Sequence, residues 1–226
     1  MRLVKHGHAC LELIDDAGTG SSSGAPTRVI IDPGNYTEEF DGIENVLAVV
    51  LTHMHDDHCY EPQLDRILAA NPGLVIYGTD EVCKRLAAVE GGSRFHTVPV
   101  HHGDFYPVGG FTLEFFGDMH AEIHRSIPLI QNCGVMVNDT LYYPGDSYTQ
   151  PDRPVGLLAC PASAPWLKIG DVMDFIAAVK PARSFPTHNA LLSDLGHALN
   201  NGRIKLVTEA GGGSFEYLQV GEGTGF

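Results

Sequence analysis

The apolar run Leu47-Ala-Val-Val-Leu51 passes through Thr52 straight into His53-Met-His55-Asp-Asp57-His58. No other feature limits so narrowly what this chain can fold into. The run predicts a buried strand. Three imidazoles and a carboxylate then sit where that strand ends and a loop opens. Imidazole is the commonest protein metal ligand, and a nitrogen and oxygen donor set suits zinc, manganese or iron. His53 and His55 are two apart, so extended backbone points both to one side. Asp57 and His58 are adjacent and face different ways unless the loop turns. Two neighbouring metals meet both requirements better than one. A motif this short cannot complete two coordination shells, so further ligands must lie elsewhere in the chain.

The size of the chain leaves room for such a site. Its 226 residues favour one domain, taken as 1–226, and burial of roughly 70% of the extended-chain surface makes disulfides unnecessary. The five cysteines form no Cys-x-x-Cys pair and predict reduced thiols in a cytoplasmic protein. Cys59 follows His58, and a small buried residue is preferred there to a metal-proximal thiol. The N-terminus lacks the apolar run of a signal peptide, and no stretch approaches the roughly 18 apolar residues of a membrane span. A net charge of −14 argues against a nucleic-acid partner, which would call for a basic stripe.

Strand-like and helix-like segments alternate along the chain. Strands are expected over residues 3–6, 9–14, 28–31, 74–77, 95–98, 105–108 and 111–116, with a Gly/Ser/Thr-rich connection at 15–27. Helical spacing covers 61–70, and Thr79 caps a helix that runs to Val89. In the second half a hairpin spans Asn138-Asp139, strands cover 156–159 and 183–186, and helices cover 169–179 and 191–200. Residues 215–220 are expected as a last strand. By periodicity this is α/β or α+β, with two sheets and outer helices.

The spacing His-x-His-x-Asp-His at 53–58 resembles the signature of the metallo-β-lactamase superfamily. Similarity extends from about His6 to Asn189. It implies a four-layer αβ/βα sandwich with the metals at one edge between the sheets. It also implies that His53 and His55 bind one metal and the Asp57–His58 pair a second. The third histidine of the first metal is implied on the loop after 111–116, where His120 is preferred to His124 as closer to the strand end. A bridging aspartate is implied at Asp146 in Tyr142-Tyr-Pro-Gly-Asp146, and the last histidine at His188 in Ser184-Phe-Pro-Thr-His188. The segments Gly7-His8-Ala-Cys10, Ile31-Asp-Pro-Gly34 and Ala164-Pro-Trp166 are similar to the small branch that includes ascorbate-6-phosphate lactonase-like proteins.

The resemblance implies a metal-dependent hydrolase. Two divalent ions, zinc foremost with manganese or iron as alternatives, would hold a bridging hydroxide that attacks a small ester, lactone or phosphodiester. Asp57 and Asp146 are the catalytic carboxylates of this scheme, and His124 its candidate proton donor. Two carboxylates and a hydroxide leave the dinuclear centre with one net positive charge, which suits an anionic or polarised small molecule. Asp32 is expected to orient a ligand histidine. Arg125, Trp166 and Lys168 are candidate pocket residues, and His8 divides evenly between the site and the core. The contrasting function is a non-hydrolytic metal protein, either an iron redox enzyme or a binding or regulatory member that kept the site.

Overall fold

Both faces of the strand that carries the histidine motif are buried, and this decides the architecture. In the computed structural model, which describes residues 1–226, Ala48 and Val50 enter one apolar cluster while Val49 and Leu51 enter another. A strand with two apolar faces must be covered on both sides.

The first half of the chain runs β1 (Arg2–Lys5), β2 (Leu11–Asp15), β3 (Thr27–Ile31), β4 (Val46–Leu51), α1 (Glu61–Ala70), β5 (Val75–Gly78), α2 (Asp80–Ala88) and β6 (His96–Pro99). The second runs β7 (Phe105–Val108), β8 (Phe111–Phe116), β9 (Gly134–Val137), β10 (Leu141–Tyr143), β11 (Leu157–Pro161), α3 (Ile169–Val179), β12 (Arg183–Thr187), α4 (Asp194–Ala210), β13 (Ser214–Phe215) and β14 (Gly223–Gly225). Two seven-stranded sheets result, ordered β14-β1-β2-β3-β4-β5-β6 and β13-β12-β11-β10-β9-β8-β7. From β1 to β13 each is antiparallel among its earlier strands and parallel among its later ones, and β14 pairs antiparallel with β1.

Three clusters separate four layers. Leu11, Leu13, Val29, Ile31, Leu113, Phe115, Val135 and Phe185 meet between the sheets. Ile30, Val49 and Leu51 pack outward against Leu64 and Ile67 of α1 and Val82 and Leu86 of α2. Met136, Tyr142 and Leu158 pack outward against Val172, Phe175 and Ile176 of α3 and Ile204 of α4. The expected αβ/βα sandwich is the observed one. Fully burying a side chain of this kind is worth about 1.5–3 kcal/mol, so the three clusters together outweigh any local propensity.

Topology brings the site together. β1, β3 and β4 run in one direction, as do β8, β10 and β12. The segments leaving the C-terminal ends of these six strands carry His8, Asp32, His53–His58, His120, Asp146 and His188. Two backbone bonds tie the sheets at this edge: Cys133 N–H donates to the Thr52 carbonyl at 2.9 Å, and His188 N–H to the His8 carbonyl at 2.6 Å.

Two expectations at the C-terminus need correction. The last helix starts at Asp194, not Leu191, because the Ser193 hydroxyl accepts the Gly196 N–H and caps it there. It also runs on to Ala210. The last strand shortens to Ser214–Phe215, and Gly223–Gly225 adds an unexpected edge strand to β1. The two glycines make Gly-Thr-Gly a weak strand signal; the register with Arg2–Val4 imposes the extended backbone.

Candidate metal centre

The site is built outward from Asp32. Its carboxylate accepts the Thr52 N–H at 2.8 Å, the Thr52 hydroxyl at 2.7 Å and the His58 Nδ1–H at 2.7 Å. Asp32 is fully buried and lies in the left-handed region at φ 46°. Such a conformation in a non-glycine residue persists only where its surroundings hold it, here through these three donors. Because the Thr52 hydroxyl donates to Asp32, its oxygen can accept from His53 Nδ1, 3.1 Å away.

Partners therefore fix the tautomers. His53 and His58 spend Nδ1–H on Thr52 and Asp32, which leaves each Nε2 with a lone pair. His120 Nδ1–H donates to the Ala121 carbonyl, and His188 Nδ1–H to the Ser163 carbonyl, with the same consequence. His55 presents Nδ1, 3.1 Å from His53 Nε2. Asp146 lies among these nitrogens. Its Oδ1 is 3.3 Å from His58 Nε2, and its Oδ2 is 3.4 Å from His120 Nε2 and 3.2 Å from His188 Nε2. Asp57 Oδ2 is 3.4 Å from His188 Nε2 and 3.9 Å from His58 Nε2.

Three groups of ligand-type atoms result: His53, His55 and His120; His53, His58 and Asp146; and His8, Asp57 and His188, each with its atoms within 4.8 Å of one another. The spacing of these atoms suits a metal ion. Ligands at 2.0–2.1 Å around a tetrahedral ion stand about 3.3 Å apart, which matches the 3.1–3.4 Å separations here. Several of the same atoms also lack any other partner. The Nε2 atoms of His58, His120 and His188 and Asp146 Oδ1 are buried with no hydrogen-bond partner. Orphaned polar atoms are rare in native proteins, and four facing one another call for a cation.

Electrostatics agree. Burial works against ionising Asp146, yet His188, His58 and His120 outweigh it and hold the carboxyl well below the usual range. Burial likewise opposes ionisation of Asp57, and His188, His8 and His58 again overcome it. Burial opposes a charged His188, but Asp146 and Asp57 raise its pKa to about 9. The two carboxylates thus demand positive charge at their centre, whether from imidazolium protons or from metal.

The structure brings together His53, His55, Asp57, His58, His120, Asp146 and His188, all seven metal residues expected from the sequence. It leaves His124 exposed, paired with the Ser126 hydroxyl at 2.7 Å and outside these groups. Arg125 and Lys168 are exposed as well. Asp32 orients His58 as expected. Cys59 sits in the outer core beside α1 and α2, and burial pushes its thiol up to about 12, which fits an inert small residue.

Sequence reasoning missed two contacts and left one open. Trp166 Nε1 donates to Asp146 Oδ2 at 2.7 Å, so its indole is a polar partner as well as a wall. Asn132 Oδ1 accepts the Asp146 N–H at 2.9 Å while its amide donates to the Pro144 carbonyl, clamping the turn. No spacing signals either contact. His8 resolves differently from the other histidines. Its Nδ1 accepts the Ala190 N–H at 3.1 Å, so Nε2 carries the proton. That nitrogen faces Asp57 Oδ2 at 3.3 Å, off the line of a well-formed hydrogen bond. His8 is therefore a donor aimed into the site, despite its grouping with Asp57 and His188.

Comparison with known proteins gives the lineage. A family model described as beta-lactamase superfamily domain matches residues 2–188. A curated relative, Protein Rv0786c of Mycobacterium tuberculosis, is 34% identical over 213 residues, covering 92% of this chain and 93% of its own. Among solved structures, the metallo-beta-lactamase fold protein YhfI of Bacillus subtilis superposes with a TM-score of 0.72 at 14% identity, over 99% of this chain and 98% of its own. Igni18, a metallo hydrolase of the archaeon Ignicoccus hospitalis, superposes with a TM-score of 0.69 at 15% identity, over 100% and 98%. The chain belongs to the beta-lactamase superfamily and has the metallo-β-lactamase fold.

Proposed function

We propose that this chain is a metal-dependent hydrolase with two divalent cations at the strand-end cluster. His53, His55 and His120 would hold one, and Asp57, His58 and His188 the other, with Asp146 between them. The observation that carries the reading is the convergence of four buried, unpartnered ligand atoms on one point. Superposition on a metallo hydrolase supports the reaction class. Bound there, the cations would lower the pKa of water to near neutrality and polarise a substrate oxygen.

The chain's own residues supply the rest. Asp32 and Thr52 fix the rings of His58 and His53. Trp166 and Asn132 hold Asp146 at the orientation that joins both histidine groups. His8 presents its Nε2 proton beside Asp57, where it can donate to a substrate or leaving-group oxygen. Zinc suits the donor set, and iron or manganese would be accepted by the same atoms. The substrate is proposed as a small ester, lactone or phosphodiester, as in the lactonase-like branch.

Metal analysis and a turnover panel test this together. Protein stripped with a chelator should lose hydrolysis of its best ester, lactone or phosphodiester and regain it with zinc, manganese or iron. His120→Ala should lower metal content, whereas His124→Ala, at an exposed residue outside the cluster, should leave it intact. A metal-restored protein that hydrolyses no member of the panel would refute the hydrolase reading.

A further inference from the structure

A cleft of about 440 Å³ opens beside the metal cluster, on the side of His8 and His188. Gly7, Asn189 and Ala190, which flank those two histidines in the chain, line it. Tyr36, whose ring packs edge-on against His8 at 5.3 Å, lines it as well. Two buried side chains close its base, Lys5 at 3% and Asn189 at 4% exposure.

Lys5 is an unusual group to bury here. Its Nζ donates to Asn189 Oδ1 at 2.9 Å and, more weakly, to the Leu218 carbonyl at 3.5 Å. Both acceptors are neutral, and no carboxylate forms an ion pair with it. Buried lysines are almost always paired, since an uncompensated ammonium is costly. Consistent with that cost, burial pushes its pKa down to about 8. An ammonium has three N–H groups, so one is free. Asn189 spends its oxygen on Lys5, and its buried Nδ2 has no partner. The base of the cleft thus offers spare donors and a positive charge that no carboxylate balances. Glu38, the acid among the lining residues, is exposed to water.

We propose that this cleft receives an anionic group of the substrate, a carboxylate or a phosphate, held by Lys5 Nζ and Asn189 Nδ2. The inference rests on the reading of the adjoining cluster as the active centre and narrows its substrate class. The substrate is then an ester, lactone or phosphodiester that carries a separate acidic group beyond the bond to be cleaved. On a chain of net charge −14, a local cation of this kind is what such a molecule needs in order to dock.

Titration of the metal-loaded protein with inorganic phosphate, and separately with acetate, tests the proposal. The readouts are the side-chain amide resonances of Asn189 and the dissociation constant. Whichever anion class the cleft takes should move the Asn189 amide signals in the wild-type protein. Lys5→Met should weaken that binding about tenfold or more without changing metal content, and Lys5→Arg should restore part of it. If Lys5→Met does not fold, the side-chain ammonium resonances of Lys5 in the wild-type, metal-loaded protein decide, because Lys5 belongs to the cleft and to none of the metal groups. Signals that do not move with either anion, or a Lys5→Met protein that binds both within about twofold of wild type, would overturn the proposal; anions held only at the metals would give that result. A wild-type protein that binds phosphate through Lys5 yet hydrolyses nothing would sink the hydrolase reading and leave the anion site standing.

Discussion

Trp166 does for Asp146 what Asp32 does for His58: it holds the side chain so that its ligand atoms stay directed at the cluster. The two contacts differ in legibility. Asp32 lies in an Asp-Pro-Gly turn after a strand, and a buried acid near a histidine motif is a recognisable pattern. Trp166 is the one tryptophan of the chain, and its apolar bulk alone accounts for its burial. Only the 2.7 Å bond reveals the polar role. Trp166→Phe keeps most of the packing and removes the donor. It should lower metal affinity or turnover about 10–100-fold, as loss of a partner behind a ligand typically does. Chelator competition against the wild-type protein measures this; unchanged affinity and turnover would reduce the indole to a packing residue. His8 was open in the sequence for a related reason. The atom that sets its tautomer belongs to Ala190, 182 residues away. Composition and spacing carry no information about such a pair, nor about Lys5 and Asn189.

At the scale of elements, the turn between β3 and β4 is part of the centre and not a connector alone. A Cβ on Gly34 would lie 1.9 Å from the Asp57 carbonyl oxygen and 2.6 Å from the His58 nitrogen. Backbone therefore meets backbone there, and Asn35 N–H donates to the Asp56 carbonyl at 2.9 Å beside it. From the other side Arg85 of α2 reaches over the same loop, bonding the Met54 carbonyl and the Asp56 carboxylate. The His120 loop is anchored to α2 as well, since Gln131 N–H donates to Glu81 at 2.7 Å and the Glu81 N–H returns a bond to Gln131. Gly34→Ala should push the Asp57–His58 step out of place, at about 1–3 kcal/mol of stability from overpacking. Metal content should drop further than thermal stability does. Full metal content in a folded Gly34→Ala protein would show that the close approach is incidental.

Across the whole molecule, the strand order explains why residues scattered from His8 to His188 meet. Six strands point their C-terminal ends at one edge, and each end delivers one piece of the centre. This made the site readable in the sequence: His120, Asp146 and His188 each follow a strand, in the expected order. The sandwich was readable for the same reason, because buried strands and amphipathic helices leave strong periodic signals. What was not readable was set by long-range packing. The edge strand Gly223–Gly225 exists through its pairing with β1, and α4 takes its start from the Ser193 cap and not from its leucines. Leu195, on the first turn of that helix, is 83% exposed. On the proposed reading, the strand ends build a centre for two metals with Asp146 between them. Anomalous X-ray diffraction from crystals of the metal-loaded protein tests it most directly. Two anomalous peaks about 3.5–4 Å apart are expected, one bounded by His53, His55 and His120, the other by Asp57, His58 and His188, with Asp146 touching both. One peak alone in fully loaded protein, or peaks that Asp146 and His188 do not reach, would contradict it.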